Sequence, residues 1–177
     1  MPLQGKMLLA DPMLRDGVFE RAVVLLSQHS QKDGAFGVIL NHPINQVVGD
    51  FLKDKMFYPL RHVAVHQGGP VAVDQLFFAT LQWNGEQGLR FVSQMTAEQA
   101  IRFHQQPGSL VRAFVGYSGW SPGQLEQELK RQTWIVCPPS PTLLGHEHDQ
   151  SLWASTLREL SPYHRLLAEA PKNPFAN

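Results

Sequence analysis

Eight short apolar runs, each four to eight residues long, are the feature that most constrains how this chain folds. They are rich in β-branched and aromatic residues and lie at 6–10, 22–28, 35–41, 63–66, 75–82, 90–93, 110–116 and 134–137. Runs of this length and composition predict strands. The 14 glycines and 13 prolines are scattered along the chain as turn residues and form no linker. We therefore predict a single, sheet-rich domain spanning residues 1–177.

One of these runs, Ala22-Val-Val-Leu-Leu26, is apolar at every position. A strand with one face in water alternates apolar and polar residues, so a continuous apolar run predicts a strand that is covered on both faces. A polar loop between residues 28 and 36 separates this run from the next one. The two runs are therefore predicted to form a β-hairpin.

Helix starts are marked by capping patterns. Thr96-Ala-Glu-Gln99 has the form of a capping box and predicts a helix over 96–106. Ser121-Pro-Gly-Gln124 places serine at the N-cap and proline at the first helical position, which predicts a helix over 121–131. Apolar residues at three- and four-residue spacing from residue 152 onward predict two consecutive short helices at the end of the domain.

The charge balance limits the class of partner. Lys and Arg number 15, Asp and Glu also number 15, and the sequence pI is about 7.1, so the chain has no strong field to attract nucleic acid or an anionic membrane. The single cysteine, Cys137, cannot form an intramolecular disulfide, which fits a reducing compartment. The N-terminus lacks a signal-peptide core, and no apolar run reaches the ~18–20 residues of a membrane span. We expect a soluble, cytoplasmic protein that does not enter a membrane.

Two glycine-rich segments have both a structural and a functional interpretation. Gly116-Tyr-Ser-Gly-Trp120 lacks the G-x-S-x-G spacing of a nucleophile elbow and is predicted to be a tight strand-to-helix turn. Its alternative is an anion site at the start of the helix that follows. Gly68-Gly-Pro70 is predicted to be a turn, and its alternative is a place where a ligand approaches the backbone closely.

The acidic and histidine-rich segments are interpreted in the same two ways. The segment 11–21 predicts an ion-paired loop, with Asp11 or Asp16 as a perturbed acid in a cleft as the alternative. The segment 146–149, His-Glu-His-Asp, predicts a solvated loop, with a metal site as the alternative. No third motif completes a metal site, so we predict no metal and no cofactor. Cys137 is expected to be a buried strand residue.

Taken together, five motifs resemble the AlgH/YqgE family over about residues 5–140. They are Gly5-Lys-Met-Leu-Leu-Ala-Asp-Pro12, Phe19-Glu-Arg21, Gly34-Ala-Phe-Gly-Val-Ile-Leu-Asn-His-Pro43, Gly68-Gly-Pro-Val71 and Gly116-Tyr-Ser-Gly-Trp-Ser-Pro-Gly-Gln-Leu-Glu126, followed by Trp134-Ile-Val136. The resemblance implies a single α+β domain of coiled, bifurcated, mostly antiparallel β-sheets with flanking helices, in the bacterial cytoplasm. From about residue 141 the chain departs from the family pattern, which predicts a divergent C-terminal helical extension.

The resemblance also implies a transcription-related regulator, but it transfers no catalytic residue. Our leading hypothesis is a non-enzymatic regulatory protein that acts through a protein partner rather than by contacting DNA. The alternative is a small-molecule-binding protein or weak hydrolase, and direct DNA binding is a minor alternative. For the ligand-binding alternative, the candidate residues of the cleft are Asp11, Glu20, Arg21, Asn41, Gly68, Gly69, Gly116, Ser118 and Trp120.

Overall fold

The computed structural model describes residues 2–145 and 147–169. In these residues nine strands form one mixed sheet: β1 Met7–Ala10, β2 Val23–Ser30, β3 Gly34–Ile39, β4 Pro43–Val47, β5 Ala64–Gln67, β6 Val71–Asn84, β7 Gly88–Met95, β8 Ser109–Trp120 and β9 Trp134–Cys137. The helices are α1 Val48–Phe51, α2 Ala97–His104, α3 Gln124–Lys130, α4 Ser151–Leu160 and α5 Pro162–Glu169. Single 3-10 helices lie at Lys55–Leu60 and Pro141–Gly145.

The sheet divides into two branches along β8. The path β4-β5-β8-β3-β2-β1-β9 forms one branch, and β6 with β7 leaves it by pairing with β8. The first part of β8 pairs with β5 and β6, whereas its last residues, 118–120, pair with β3. Among the strand pairs of the described residues, only β5–β8 is parallel. The fold is therefore the α+β domain with a bifurcated, mostly antiparallel sheet that the family resemblance implies.

Strand β1 and the first half of β2, residues 23–26, are covered on both faces, which confirms the prediction made from the run 22–26. Alternate residues of these strands belong to two different cores. On one face Val23 and Leu25 share a core with Trp153 of α4. On the other face Val24 and Leu26 share a core with Leu125 of α3. Because both faces exclude water, every position of the run has to be apolar. A third core lies beneath α1 and α2.

Several local predictions are confirmed. Strands β2 and β3 form the expected antiparallel hairpin. The capping box is present: the Thr96 hydroxyl accepts the Gln99 backbone N–H at 3.2 Å, and the Gln99 side chain accepts the Thr96 N–H at 3.1 Å. The two consecutive C-terminal helices are α4 and α5. These features depend on neighbours within a few residues, which a sequence pattern captures directly.

Other local predictions are wrong. The segment Gly116–Trp120 is not a turn, because β8 continues through it and pairs with β3. Helix α3 begins at Gln124 after Gly123 in a left-handed conformation (φ 79°), so Ser121 is not its N-cap. The sequence pattern also missed β4, α1 and the first 3-10 helix, all between residues 43 and 60. These elements are short, and β4 is an edge strand that begins at a proline, so their periodic signal is weak.

Helices long and apolar enough to cross a membrane are absent from the described part of the chain.

Candidate functional site

The structure distributes the nine predicted cleft residues over separate places. Glu20, Arg21 and Asn41 line one pocket. Gly68, Gly69, Gly116 and Ser118 meet where the chain crosses itself at the sheet fork. Trp120 belongs to an aromatic cluster that is hydrogen-bonded to Glu128 of α3, and Asp11 lies in a turn. The residues therefore do not form the single cleft that the sequence predicts, and contact of any of them with a ligand remains a prediction.

The pocket lined by Glu20, Arg21 and Asn41, which we call the Arg21 pocket, has a volume of about 400 Å³. The loop 17–22 forms one side and the end of β3 with residues 41–43 forms another. His42 and Gln150 complete its polar lining. The pocket brings together parts of the chain that are more than 100 residues apart.

The side chain of Asn41 fixes the backbone at Arg21 through two hydrogen bonds. Its amide nitrogen donates to the Arg21 carbonyl at 2.9 Å, and its amide oxygen accepts the Val23 N–H at 2.9 Å. Asn41 is buried, with 6% of its surface exposed. It therefore acts as a positioning residue for Arg21.

Arg21 has a left-handed backbone conformation with φ 54°, which is uncommon for a residue other than glycine. The carbon at the centre of its guanidinium lies 4.7 Å from the centroid of the Trp153 ring. Such conformations persist where the surroundings impose them, and they occur frequently at functional sites. The Asn41 bridge and the stacking on Trp153 together impose this one.

The glycines at the sheet fork allow two backbone segments to touch. A Cβ atom on Gly69 would lie 2.2 Å from the Tyr117 carbonyl oxygen, and one on Gly116 would lie 2.5 Å from the Gly69 oxygen. The Gly68 carbonyl accepts the Ile39 N–H at 2.8 Å and the hydroxyl of the fully buried Ser118 at 3.0 Å. The glycines thus allow the two backbone segments to cross in direct contact, and the hydrogen bond from the Ser118 hydroxyl stabilises this crossing.

Trp120 and Asp11 make local contacts. The indoles of Trp120 and Trp134 both donate to the same Glu128 carboxylate oxygen, at 2.9 and 2.8 Å. Phe19 packs against both rings. The Asp11 carboxylate accepts the Met13 N–H at 2.9 Å, as the aspartate of a turn does.

A buried histidine, His66, lies beneath the C-terminal loop, which comprises residues 147–150 between the second 3-10 helix and α4. His66 on β5 is 3% exposed and donates through Nε2 to the His148 carbonyl at 2.8 Å. Burial lowers the pKa of His66, and the nearby charges of Arg112 and His42 lower it further, against the opposing effect of the His148 hydrogen bond. His148 is itself buried, so the predicted solvated loop over 146–149 is wrong at this residue, because its carbonyl accepts from His66 of β5 and its ring lies 3.0 Å from the Leu143 carbonyl. His146 lies outside the described residues.

Within residues 2–145 and 147–169, no three His, Cys, Asp or Glu side chains lie close enough together to hold a metal ion. Two residues with polar side chains in the Arg21 pocket, His42 and Gln150, are absent from the predicted set. His42 lies next to Asn41 within a quoted motif and could have been included, whereas Gln150 reaches the pocket only through the packing of the C-terminal loop and leaves no local signal.

The model of a family described as AlgH-like matches residues 7–164. A UPF0301 protein of Bacteroides fragilis is 33% identical over 186 residues, covering 100% of this chain and 92% of that protein. A UPF0301 protein of Streptomyces coelicolor is 34% identical, covering 99% of this chain and 95% of that protein.

Two solved structures share the fold. The solution structure of the AlgH protein from Pseudomonas aeruginosa aligns with a TM-score of 0.67 and 25% identity, covering 97% of this chain and 96% of that one. The crystal structure of a protein from Corynebacterium diphtheriae aligns with a TM-score of 0.72 and 23% identity, covering 95% and 92%. The names of these relatives state no activity, so a function has to be argued from the site.

Proposed function

The chain belongs to the AlgH-like family, and we propose that it binds a small polar molecule carrying an acidic group in the Arg21 pocket. The observation that carries this proposal is the convergence of Glu20, Arg21 and Asn41 on one pocket, with Arg21 held there in a strained conformation. A rigidly held guanidinium at a pocket wall is suited to bidentate recognition of a carboxylate or phosphate.

The other lining residues narrow the chemistry of this molecule. The His42 ring and the Gln150 amide can form hydrogen bonds with the bound molecule. The Glu20 carboxylate can only accept hydrogen bonds, so the molecule must supply a donor to it. A molecule with both an acidic group and a hydroxyl or amine would therefore complement the arginine and the glutamate of the lining. Amino acids, hydroxy acids and sugar phosphates have this combination.

Binding is favoured over hydrolysis because a hydrolase of the serine type needs an accessible hydroxyl next to a base. The Ser118 hydroxyl is buried and donates to the Gly68 carbonyl. Asp11 accepts a backbone hydrogen bond in its turn, far from that hydroxyl in sequence and in a different part of the fold.

Thermal unfolding in the presence of amino acids, hydroxy acids, sugar phosphates and inorganic phosphate tests the proposal. A molecule that binds the folded state adds about 2.7 kcal/mol at a concentration of one hundred times its Kd, which raises the Tm measurably. We expect the increase to disappear in Arg21→Gln and to become smaller in Arg21→Lys, which keeps the charge but loses the planar fork.

Arg15→Gln is the matched control, because Arg15 is an exposed arginine in the same connection between β1 and β2 and does not line the pocket. It should keep the full increase in Tm. The proposal is wrong if no compound raises the Tm, or if the increase survives in Arg21→Gln.

A second candidate function, regulation through a protein partner, is favoured by a different observation. Phe51, Met56 and Tyr58 are 40, 50 and 62% exposed and lie on one continuous segment that includes α1 and the first 3-10 helix. Exposed apolar side chains grouped in this way are typical of protein contact surfaces.

Native mass spectrometry of the gently purified protein tests this second candidate. A bound protein should be present with the unmodified chain and lost with Met56→Ser/Tyr58→Ser. Met13→Ser, which removes an exposed methionine elsewhere (71% exposed), should leave the complex intact. A complex that survives the double substitution would exclude this surface.

A further inference from the structure

A second cavity, of about 540 Å³, lies beside the sheet fork and is lined by residues of β2, β3, β6, β7 and β8. We call it the fork cavity. It shares no lining residue with the Arg21 pocket. Its volume lies in the range of roughly 300–1,000 Å³ that is common for small-molecule sites.

Three irregularities of the strand pairing converge on this cavity. In β2, Ser27 is an extra residue without a partner in β3. In β6, residues 72–75 stand opposite the single residue Gly116 of β8. In β7, residues 93–94 stand opposite Ala79 of β6. Residues from each irregular segment line the cavity. Bulges change the direction of side chains and are over-represented next to binding sites.

The backbone is strained at the same place. Of the five described non-glycine residues with a left-handed φ, Ala72 (50°) and Gln94 (57°) both line the fork cavity. Such residues cluster where a fold shapes a site for a ligand. The bulges and the strained residues therefore lie at the same cavity, and both features indicate a binding site there.

The apolar part of the lining is aromatic. The rings of Phe36 and Tyr117 lie with their centroids 5.5 Å apart, tilted by 46°, and Phe77 lies on the same lining. Phe36 is 40% exposed, so part of its surface is available to a ligand. Aromatic faces of this kind stack on flat rings.

The polar part of the lining is uncharged. Gln28, Gln75 and Gln94 contribute amides, whose side chains make no hydrogen bond to another residue in the described part of the chain. A glutamine amide presents a donor and an acceptor in one plane. None of the described lining residues carries a charge. The cavity thus offers planar hydrogen-bonding groups and ring faces, without a cation to hold a phosphate.

We propose that the fork cavity binds an uncharged nucleobase, free or as its nucleoside. A base is flat and stacks on aromatic rings, and its edge carries adjacent donors and acceptors that a glutamine amide can pair with in bidentate fashion. The absence of a cation among the described lining residues predicts that a 5′-phosphate weakens binding. This proposal concerns a different cavity from the proposed function and does not depend on it.

Isothermal titration calorimetry with adenine, guanine, cytosine and uracil, their nucleosides and their 5′-monophosphates tests the proposal. We expect at least one base or nucleoside to bind, and its monophosphate to bind at least tenfold more weakly. A free base that binds as tightly as its nucleoside would place the recognition in the base alone. Phe36→Leu, which removes the ring but keeps apolar volume, should raise the Kd about tenfold, as should Gln75→Ala.

Gln46→Ala is the matched control, because Gln46 is an exposed glutamine of β4 that does not line the cavity. It should leave the Kd unchanged, and Arg21→Gln should leave it unchanged as well. The proposal is overturned if no base or nucleoside binds at millimolar concentration, if a neutral monosaccharide binds in their place, or if Phe36→Leu and Gln75→Ala bind as the unmodified chain does.

Discussion

At the scale of single residues, the sheet fork depends on two glycines, because these residues have no Cβ atom. Gly69 and Gly116 bring the backbone after β5 against the backbone of β8, at distances that no Cβ could occupy. Gly116 also needs its left-handed φ of 73° for β8 to turn from β6 toward β3. The family motifs at these positions are therefore explained by backbone packing before any ligand is considered.

Gly69→Ala should lower the free energy of unfolding by about 3 kcal/mol, the upper end of the usual cost of overpacking, because the new Cβ would lie 2.2 Å from Tyr117 backbone atoms that cannot move aside cheaply. Urea unfolding followed by tryptophan fluorescence measures the change. Gly85→Ala, at a position with no atom within 4 Å of the new Cβ, serves as the control and should change the free energy little.

Cys137 should be an unreactive thiol in the folded protein. It is 3% exposed, and burial raises its pKa to about 11, so that only about 0.1% is thiolate at pH 8. Its reaction with a thiol-specific disulfide reagent should be at least a hundredfold slower in buffer than in concentrated urea, with Cys137→Ser as the blank. Equal rates in the two solvents would contradict the buried placement on β9.

At the scale of elements, the C-terminal loop is fastened to the sheet by buried polar contacts. His66 of β5 donates to the His148 carbonyl, and the His148 ring lies 3.0 Å from the Leu143 carbonyl in the second 3-10 helix. The Trp153 indole of α4 donates to the Ala10 carbonyl at 2.9 Å. These contacts also place Gln150 at the Arg21 pocket.

The lowered pKa of His66 makes the stability of this contact depend on pH. The folded state favours the neutral ring, so the stabilisation is complete above the unfolded pKa of about 6.5 and is lost as the pH falls toward the folded pKa. The free energy of unfolding should therefore decrease as the pH falls below about 6.5, by at most about 1.4 kcal/mol per pH unit for this single group.

Urea unfolding at several pH values measures this dependence. His66→Gln should reduce the slope in that interval, whereas His62→Gln, at an exposed histidine just before β5, should leave it unchanged. An unchanged slope in His66→Gln would show that the burial of this ring does not control the acid sensitivity.

At the scale of the whole molecule, the balanced charge and the branched sheet determine which surfaces and cavities are available for binding. Fifteen basic and fifteen acidic side chains give no net charge. The fork leaves room between the two branches of the sheet for a cavity without charged lining, while the Arg21 pocket lies where the loop 17–22 meets the end of β3. We therefore expect the protein to recognise a ligand by the shape and the few polar groups of a cavity, and not by long-range attraction of charge.

Random duplex DNA should not bind this protein, even at low salt, where phosphate contacts are strongest. Non-specific binding requires several cations on one face, and its Kd is typically about 1–100 μM at physiological salt. Fluorescence anisotropy with a labelled duplex should show no binding at protein concentrations up to about 100 μM, which is the weak end of this Kd range. A tighter, salt-sensitive interaction would instead support direct DNA binding.

The sequence by itself determined the features that depend on near neighbours. It indicated the strand covered on both faces at 22–26, the β2–β3 hairpin, the capping box of α2 and the charge balance, because each follows from residue types a few positions apart. The family motifs added the bifurcated α+β architecture.

Only the tertiary structure decided the path of β8 beyond Gly116 and the composition of the two cavities. Strand β8 continues through Trp120 because β3, some 80 residues earlier, supplies its hydrogen bonds. Gln150 joins the Arg21 pocket, and the bulges of β2, β6 and β7 converge on the fork cavity. Contacts between distant segments are selected by packing of the whole chain, so no local pattern in the sequence records them.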